Sequence, residues 1–413
     1  MRILWVKADK LLPVQSGGNI RSYNILRQLA AHHEITFFSY YDGERDVRYE
    51  RVLQEEFPNA VCLSTGRPDV TGWRRALDYL VYFPGCDPYA VARFSSAGVR
   101  RRLHQWYSDR PFDAVVCDFL DAAVNLPRRL TIPTILFQHN VESEIWRRHS
   151  LTAPRWTKRL MYSVEFRKMV RYERAMVQKV HHVIAVSNRD RELMSAWMDA
   201  SRITVVPTGV DLRRFAPETP PRNIGPLLVF VGAMDWEPNI DAVEYFCKEI
   251  LHRVLAEVPE ARFRIVGRNP DSRVHKLASS SVEVTGSVPS VVDHLREAAV
   301  VVVPLRIGGG TRLKIYEAMA MGKAVVSTSV GAEGLDIGQE RNLILADDAP
   351  AFAKAIQLLL QDPESRCRYE RAAAQHAARF DWSVVGEMFS QVLDATAGLP
   401  SGEKQACAFV PEG

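Results

Sequence analysis

Short apolar runs rich in β-branched residues alternate with amphipathic stretches along the whole chain. Hydrophobicity within each run is continuous, which is typical of parallel strands buried on both faces. Helical stretches separate the runs, and this arrangement indicates βαβ units. The predicted strands are 2–6, 34–40, 59–63, 114–117, 134–137, 183–186 and 203–206 in the front half, and 227–231, 262–266, 282–285, 300–303, 324–327 and 343–345 in the back half.

Two successive series of βαβ units predict an α/β protein with two doubly wound, Rossmann-like domains. Residues 207–226 contain five prolines and two glycines and have no periodicity, so we expect a linker there. The N-terminal domain is then expected over residues 1–206 and the C-terminal domain over residues 227–379. A helix predicted over 380–395 can return to the first domain, and residues 396–413 read as a polar tail.

The distribution of charge differs between the two halves. Residues 1–215 hold 33 Lys and Arg against 23 Asp and Glu, whereas the remainder holds 20 against 26. A basic front half suggests that it meets an anionic partner, such as a phospholipid surface or a phosphate-bearing acceptor. A well-solvated surface with no such partner would have the same composition, so both interpretations stay open.

Several features favour a cytoplasmic protein. The six cysteines are scattered, with neither C-x-x-C pairs nor metal-ligand spacing, which fits a reducing compartment. The first residues are apolar only as far as Lys7, too short a run for a signal peptide. No run approaches the ~18 apolar residues of a membrane span. We expect the protein in the cytoplasm, at most peripheral to the inner face of the membrane.

The stretch IGGGTRLKIYEAMAMGKAVVST, residues 307–328, places successive glycines between a predicted strand and a predicted helix. Unpaired N–H groups at the start of such a helix form an anion site. Glu317 lies one turn after Lys314, and its carboxylate can accept two hydrogen bonds from a ribose diol. A plain loop with solvated charges is the simpler interpretation. The candidate anion-binding residues here are Gly309, Gly310, Thr311, Arg312 and Lys314.

Other predicted strand ends carry candidate site residues. Gly17 and Gly18 open the first helix, although alone they would more often be an ordinary turn. His139 directly follows a buried strand, so it faces the crevice at the strand ends and becomes a candidate for catalysis or substrate contact. In the second domain, Gly232 ends the first strand and Arg268 follows the second, where a guanidinium can reach a diphosphate or stack on a base.

Four segments together resemble the retaining nucleotide-sugar glycosyltransferases of family 4. They are GGGTRLKIYEAMAMGKAVVSTSVGAEGL, FVGAMDWEPN, VPTGVDLRRF and the QHN at residues 138–140. The resemblance spans residues 1 to about 395 and is strongest in the second domain. It implies the glycosyltransferase-B (GT-B) fold, in which two Rossmann-like domains face each other across a cleft. It also implies transfer of a hexose from a nucleotide-diphosphate sugar to a glycan or lipid-linked acceptor.

The family also implies roles for individual residues. Glu317 would bind the donor ribose, and the amides of Leu313 and Lys314 would hold the diphosphate, with Gly18 on the opposite wall. His139 would touch the donor sugar near the reacting centre. Retention is explained in this family by attack on the same face of the sugar, with a departing phosphate oxygen taking the acceptor proton. No metal or other cofactor is expected, since D-x-D, H-E-x-x-H and P-loop motifs are missing.

The sequence departs from the family at three positions. The first Glu of the family's Glu-x7-Glu motif would fall on Gly309. The Arg and Lys that usually clamp the phosphates would fall on Ala233 and Pro238. We hypothesise that Arg312 and Lys314 supply the missing positive charge.

These departures keep two rival functions open. One is a nucleotide-sugar 2-epimerase on the same fold, which needs further acid/base carboxylates and no acceptor. The other is a non-catalytic protein that binds sugar nucleotides or scaffolds a partner.

Two basic amphipathic stretches, residues 72–83 and 156–180, suggest the acceptor side of the protein. Such stretches can lie on an anionic membrane, or their apolar stripe can simply be core. The expected partners are therefore a nucleotide-sugar donor, a glycan or lipid-linked acceptor and an anionic membrane surface, but no nucleic acid.

Overall fold

A computed structural model describes residues 1–68, 73–153, 155–217, 225–307, 313–335, 337 and 342–398, and only the backbone of residues 73–76 and 152. The chain forms two compact units. The first comprises Met1–Pro207 together with the chain from Val385 onward, and the second comprises Thr208–Val384. Each unit is an α/β structure with one parallel sheet, so the predicted fold class of two doubly wound, Rossmann-like domains is confirmed.

The first unit contains a seven-stranded parallel sheet in the order β3-β2-β1-β4-β5-β6-β7. Its strands are β1 (Arg2–Ala8), β2 (Glu34–Tyr41), β3 (Val61–Ser64), β4 (Ala114–Asp118), β5 (Thr134–Phe137), β6 (His182–Ala185) and β7 (Ile203–Val205). Its first eight helices are α1 (Gly17–Ala30), α2 (Val47–Glu56), α3 (Trp73–Tyr82), α4 (Tyr89–Ala92), α5 (Ala97–Asp109), α6 (Glu142–Thr152), α7 (Trp156–Lys179) and α8 (Asn188–Ser195).

The second unit contains a six-stranded parallel sheet in the order β10-β9-β8-β11-β12-β13. Its strands are β8 (Leu227–Val231), β9 (Arg262–Val266), β10 (Val282–Gly286), β11 (Val300–Val303), β12 (Ala324–Ser327) and β13 (Ile344–Leu345). The helices that follow are α9 (Glu237–Tyr245), α10 (Leu251–Glu257), α11 (Ser272–His275), α12 (Val292–Glu297), α13 (Leu313–Ala320), α14 (Ala349–Gln361), α15 (Pro363–Ala377) and α16 (Trp382–Ala397).

All thirteen predicted strands are present, with ends that differ by no more than two residues. Every residue of β4, β11 and β12 is buried, as continuous apolar runs predict for strands covered on both faces. Helices on each face of the sheets supply that cover. Among the described residues, no helix is both long enough and apolar enough to cross a membrane.

Strand order reverses at one point in each sheet. In the first unit the reversal lies between the neighbours β1 and β4, and in the second unit between β8 and β11. Loops leave the carboxyl ends of these strand pairs in opposite directions, which opens a crevice where such folds bind ligands. Lys7 of β1 and Asp118 of β4 lie in register at this reversal. The topology therefore brings two charged residues, distant in sequence, to one crevice.

The last helix contributes to the first unit from Val385 onward. There Phe389 stacks on Trp5 of β1 with ring centroids 5.5 Å apart, and Ser390 Oγ hydrogen-bonds His33 Nε2 at 2.8 Å. Phe389 is completely buried. The start of the same helix belongs to the second unit, where the Trp382 amide donates to the carbonyl of Val210 at 3.2 Å.

Candidate functional site

A buried carboxylate organises the crevice of the first unit. Asp118 Oδ2 accepts a hydrogen bond from Trp5 Nε1 at 3.1 Å and lies 3.5 Å from Lys7 Nζ. Its other oxygen, Oδ1, lies 2.8 Å from His139 Nε2. Burial alone would raise the pKa of Asp118, but the Lys7 charge and the hydrogen bond from His139 hold it well below its usual range. Asp118 is therefore ionised in the folded protein.

His139 is placed in the interior rather than on the surface. Only 2% of the residue is exposed, and its ring stacks on Phe119 with centroids 3.7 Å apart and planes at 5°. Burial lowers the pKa of His139 to about 4, despite the opposing effect of Asp118, so the imidazole is neutral at pH 7. The Nδ1 atom is buried and makes no hydrogen bond within the described protein.

Arg21 fixes the backbone around His139. This completely buried residue of α1 donates to the carbonyl oxygens of Gln138, at 3.1 Å, and Val206. Its guanidinium also lies 4.4 Å from the ring centroid of Phe137. Burial lowers the pKa of Arg21 to about 9, which leaves it charged at neutral pH. One buried cation thus ties the first helix to the ends of two strands.

Gly18 lies against the same cluster. A Cβ at this position would come within 2.3 Å of Phe119 Cζ, so glycine is required by the packing of the ring. Phe119 itself has a φ of 70°, a left-handed conformation that aromatic residues rarely adopt. Gly17, the residue before, is the first residue of α1, which Ser16 caps through its side chain. What lies against Gly18 in this structure is therefore Phe119.

Further carboxyl groups lie beside the cluster. Buried Glu173 accepts hydrogen bonds from the amides of Glu142, at 2.9 Å, and Ser143, at 3.0 Å, and so caps α6. Burial raises the pKa of Asp121 to about 7 and that of Glu142 to about 8. Groups that titrate near neutrality at a strand-end crevice are candidates for proton transfer or hydroxyl binding.

Two glycine turns pack together in the second unit. A Cβ at Gly267 would lie 1.6 Å from the carbonyl oxygen of Gly232, which no side chain can tolerate. The turns are joined by hydrogen bonds from the Gly232 amide to Val266, at 2.9 Å, and from the Met234 amide to the carbonyl of Arg268, at 2.9 Å. The structure thus brings Gly232 and half-buried Arg268 to one edge of the sheet.

Lys314 reaches this edge from α13. Its Nζ donates to Asn239 Oδ1 at 3.0 Å and lies 4.2 Å from the ring centroid of Phe230. A Cβ at Gly232 would lie 3.0 Å from the same Nζ. The ammonium group is therefore held over the turn after β8, next to the first turn of α9.

Glu317 lies on the same helix as Lys314, three residues later, and is half-buried. Burial raises the pKa of Glu317 to about 7, with opposing effects from the charges of Arg214 and Lys314. A carboxyl group that titrates near neutrality beside two cations can accept hydrogen bonds from a polar ligand. Leu313, whose amide the family implies as a diphosphate ligand, is the first described residue of α13. The candidate residues Gly309, Gly310, Thr311 and Arg312 lie outside the described residues.

Sequence reasoning missed several members of the first-unit cluster. Lys7 is the penultimate residue of β1 and Asp118 the last residue of β4, and a charged residue next to an apolar run was the available signal. Nothing local indicated that Phe119 would stack on His139 or that Arg21 would be buried, because both depend on contacts between distant segments.

A chain with two Rossmann-type sheets, each with polar or glycine-rich loops at its strand reversal, has the two-domain composition of the GT-B class. Comparison with known proteins supports the same class. The family model described as Glycosyltransferase Family 4 matches residues 15–214, and the model described as Glycosyl transferases group 1 matches residues 225–362. The chain belongs to the family 4 glycosyltransferases of the GT-B fold.

The individual relatives and structures described next share 26% identity or less with this chain. Phosphatidyl-myo-inositol mannosyltransferase of Mycolicibacterium smegmatis is 26% identical over 321 residues, which cover 75% of this chain and 78% of the relative. Sucrose-phosphate synthase of Thermosynechococcus elongatus superimposes with a TM-score of 0.65 at 18% identity, covering 95% of this chain and 98% of that one. HepE of Anabaena, solved with UDP and glucose, superimposes with a TM-score of 0.62 at 14% identity, covering 96% of this chain and 100% of that one. The family models and the mannosyltransferase do not favour an epimerase or a non-catalytic scaffold.

Substitution Gly18→Ala tests the packing of Phe119. We expect it to lower the free energy of unfolding by about 1–3 kcal/mol, because the new methyl group overlaps the ring. Urea unfolding followed by tryptophan fluorescence would measure the loss, and Gly18→Ala/Phe119→Leu should recover most of it. Gly98→Ala is the matched control, also at the second position of a helix but with 3.8 Å to its nearest neighbour. It should be neutral or stabilising by about 0.4–1 kcal/mol. Equal losses of stability in Gly18→Ala and Gly98→Ala would contradict the close packing of Phe119 against Gly18.

Proposed function

We propose that this glycosyltransferase moves a hexose from a nucleotide-diphosphate sugar to a glycan or lipid-linked acceptor, with retention and without a metal ion. The observation that carries the proposal is the strand-end site of the second unit. There the Lys314 ammonium lies over the Gly232 turn, and the Glu317 carboxyl follows on the same helix face. A cation beside a glycine turn suits a diphosphate, and a carboxylate suits a ribose diol.

The comparisons support the substrate classes. HepE was solved with UDP and glucose, which supports a nucleotide-sugar donor on this fold. The mycobacterial relative is named for mannosyl transfer to phosphatidyl-myo-inositol, which supports a hexose and a lipid-linked acceptor. In the proposed reaction the amides of Leu313 and Lys314 bind the diphosphate, Arg268 grips the base or phosphates, and Glu317 binds the ribose. The departing phosphate oxygen takes the acceptor proton, so no protein nucleophile is needed.

A transfer assay in EDTA tests the function. The protein would be incubated with UDP-, GDP-, ADP- and dTDP-hexoses and with phosphatidylinositol vesicles or a glycan acceptor. We expect one donor to release its nucleoside diphosphate and yield a product with the anomeric configuration of the donor. The free nucleotide at 100 times its dissociation constant should stabilise the protein by about 2.7 kcal/mol. No transfer with any pair, or inversion in the product, would contradict the proposal.

The same nucleotide should bind more weakly as pH falls from 8 to 6, because Glu317, with a pKa of about 7, is mostly ionised at pH 8 and mostly protonated at pH 6. Glu317→Gln should weaken binding at pH 8 by about 10-fold or more and should remove this component of the pH dependence. Glu364→Gln, at an exposed position of the second unit, is the matched control and should leave the affinity at pH 8 and its pH dependence unchanged.

Lys314 is proposed to supply charge that the family takes from positions 233 and 238. Lys314→Met should weaken binding of the nucleoside diphosphate by about 10- to 100-fold while changing binding of the nucleoside by less than about threefold. Adding Pro238→Lys to this variant restores a lysine at the family position and should recover much of the affinity. Titration calorimetry would measure both ligands. Equal losses for nucleoside and diphosphate would show that Lys314 is not a phosphate contact.

We further propose that an anionic membrane is the acceptor surface. The α3–α7 surface, defined by Leu77, Leu80 and Val81 of α3, by Phe83, and by Trp156 and Leu160 of α7, is largely exposed. Val81 is 75% and Trp156 76% exposed, which is unusual for large apolar side chains. Farther along α7 the apolar side chains are buried, because Met169 and Val177 belong to the core.

Hydrogen bonds between the α3 segment and α7 hold the two together, so their exposed apolar residues can form one continuous surface. Lys168 Nζ donates to the carbonyl of Phe83 at 2.7 Å, and Tyr79 donates to Glu165 of α7 at 3.2 Å. Basic residues Arg155 and Lys158 are exposed at the start of α7. An apolar surface with neighbouring basic residues fits the interface of an anionic bilayer.

Vesicle sedimentation would test the α3–α7 surface. Binding to phosphatidylinositol-containing vesicles is expected at low salt, with less binding to phosphatidylcholine and at high salt. Trp156→Ser/Leu160→Ser should reduce the bound fraction several-fold, because it removes apolar anchors. Leu358→Ser changes a leucine of the second unit that is 44% exposed and should have no effect. Equal binding by the two variants would exclude this surface as the contact.

A further inference from the structure

The two oxygens of Asp118 have different partners. Oδ2 receives Trp5 Nε1 at 3.1 Å and lies 3.5 Å from Lys7 Nζ, both of which can only donate. Oδ1 lies 2.8 Å from His139 Nε2. Because a carboxylate only accepts, Nε2 must carry a proton. A neutral imidazole has one N–H, so Nδ1 then holds a lone pair.

We propose that Asp118 is a positioning residue that fixes the tautomer of His139, so that Nδ1 accepts a hydrogen bond from a hydroxyl of the donor sugar. This inference rests on the proposed function, in which His139 contacts that sugar. Nδ1 is buried and lacks a hydrogen-bond partner in the described protein, although the protein satisfies Nε2. A buried acceptor without a donor is uncommon, and a substrate hydroxyl would supply one.

Phe137 lies beside the imidazole of His139 with ring centroids 4.3 Å apart, and Phe119 stacks on the imidazole. Phe119 is half-buried, and its backbone is held at a φ of 70°. Stacked rings cover a face of the imidazole, whereas the Nδ1 lone pair points outward in the ring plane. A hydroxyl that reaches Nδ1 therefore approaches the edge of the ring, so the stacking of Phe119 and the bond between His139 and Asp118 can both stay in place.

The tautomer matters for the electronics of the reaction. The sugar gains positive charge as the bond to the diphosphate breaks, as in other glycosyl transfers through oxocarbenium-like transition states. A hydroxyl that donates to a nitrogen lone pair becomes more electron-rich and stabilises that charge. A hydroxyl that accepts a hydrogen bond from an N–H becomes less electron-rich and stabilises that charge less. The lone pair on Nδ1 should thus act mainly on kcat, with little effect on donor KM.

Substitution Asp118→Asn reverses the tautomer while keeping the shape. Trp5 and Lys7 both donate at the Oδ2 position, so the amide oxygen of Asn must face them. The amide NH₂ then faces His139 Nε2, which has to become the acceptor, and the imidazole proton moves to Nδ1. The same orientation is expected in Lys7→Met/Asp118→Asn, because Trp5 still donates. The double variant also avoids leaving the Lys7 ammonium buried without a counterion.

Two measurements on the full chain test the proposal. Nitrogen-15 spectra of the histidine rings, with the signals assigned through His139→Gln, should show His139 protonated on Nε2 in the wild type and on Nδ1 in Asp118→Asn. In the transfer assay, kcat should fall about 10- to 100-fold while donor KM changes less than about threefold. Asp113→Asn, at a half-exposed carboxylate just before the same strand, should change neither.

Each outcome has a distinct meaning. An unchanged tautomer, or an unchanged kcat in both Asp118 variants, would overturn the positioning role and leave the proposed function standing. If Asp118→Asn fails to fold, the double variant decides by the same two measurements. Absence of transfer by the wild-type chain would overturn the proposed function and, with it, the sugar contact inferred here.

Discussion

The buried ion pair of Lys7 and Asp118 is the constraint from which the His139 cluster of the first unit is built. The two residues lie in register on the neighbouring strands where the sheet reverses its order. Removing two charges from water costs several kcal/mol per ion, which is offset only when partners and geometry are favourable. Asp118 meets that condition by accepting from Trp5 as well as pairing with Lys7. The carboxylate is thereby held in one orientation.

That fixed orientation propagates outward through direct contacts. His139 approaches Asp118 through Nε2, and the imidazole presents one face to Phe119. Phe119 in turn fills the space beside Gly18, where a Cβ would lie 2.3 Å from Phe119 Cζ. A glycine that looks like a ligand-approach position in the sequence is thus explained first by packing. The same position can still border a substrate, because Phe119 is only half-buried.

The second unit reaches a similar strand-end site by different means. Where β8 and β9 end, Gly232 and Gly267 allow two backbones to touch, and Arg268 follows in the second turn. Positive charge arrives from α13, through Lys314, rather than from the strands. The first unit therefore places charge within its sheet and buries it, whereas the second places charge on a helix above a glycine turn. The second arrangement sets a cation beside a glycine turn, which suits an anionic ligand.

Elements were easier to predict than contacts. Each strand was visible because burial on both faces requires an unbroken apolar run of β-branched residues, a property of a few adjacent positions. His139 was placed correctly at a strand end, but its burial under Phe119 depends on a segment twenty residues away. Likewise the apolar stripe of residues 156–180 predicts one face, and only tertiary packing separates exposed Leu160 from buried Met169. Periodicity identifies a face but does not say what covers it.

The same distinction bears on the missing family charges. Ala233 and Pro238 stand where the family has a basic clamp, so a comparison by position alone reports the clamp as lost. A charge acts through its distance to the ligand, however, and not through its place in the chain. Because β8 and β11 are neighbours, the turn after β8 and the helix that follows β11 converge on one edge of the sheet. The Lys314 ammonium lies 3.0 Å from Asn239, the residue next to Pro238. A fold that gathers several elements at one point can therefore exchange the element that carries a charge and keep the charge where the chemistry needs it.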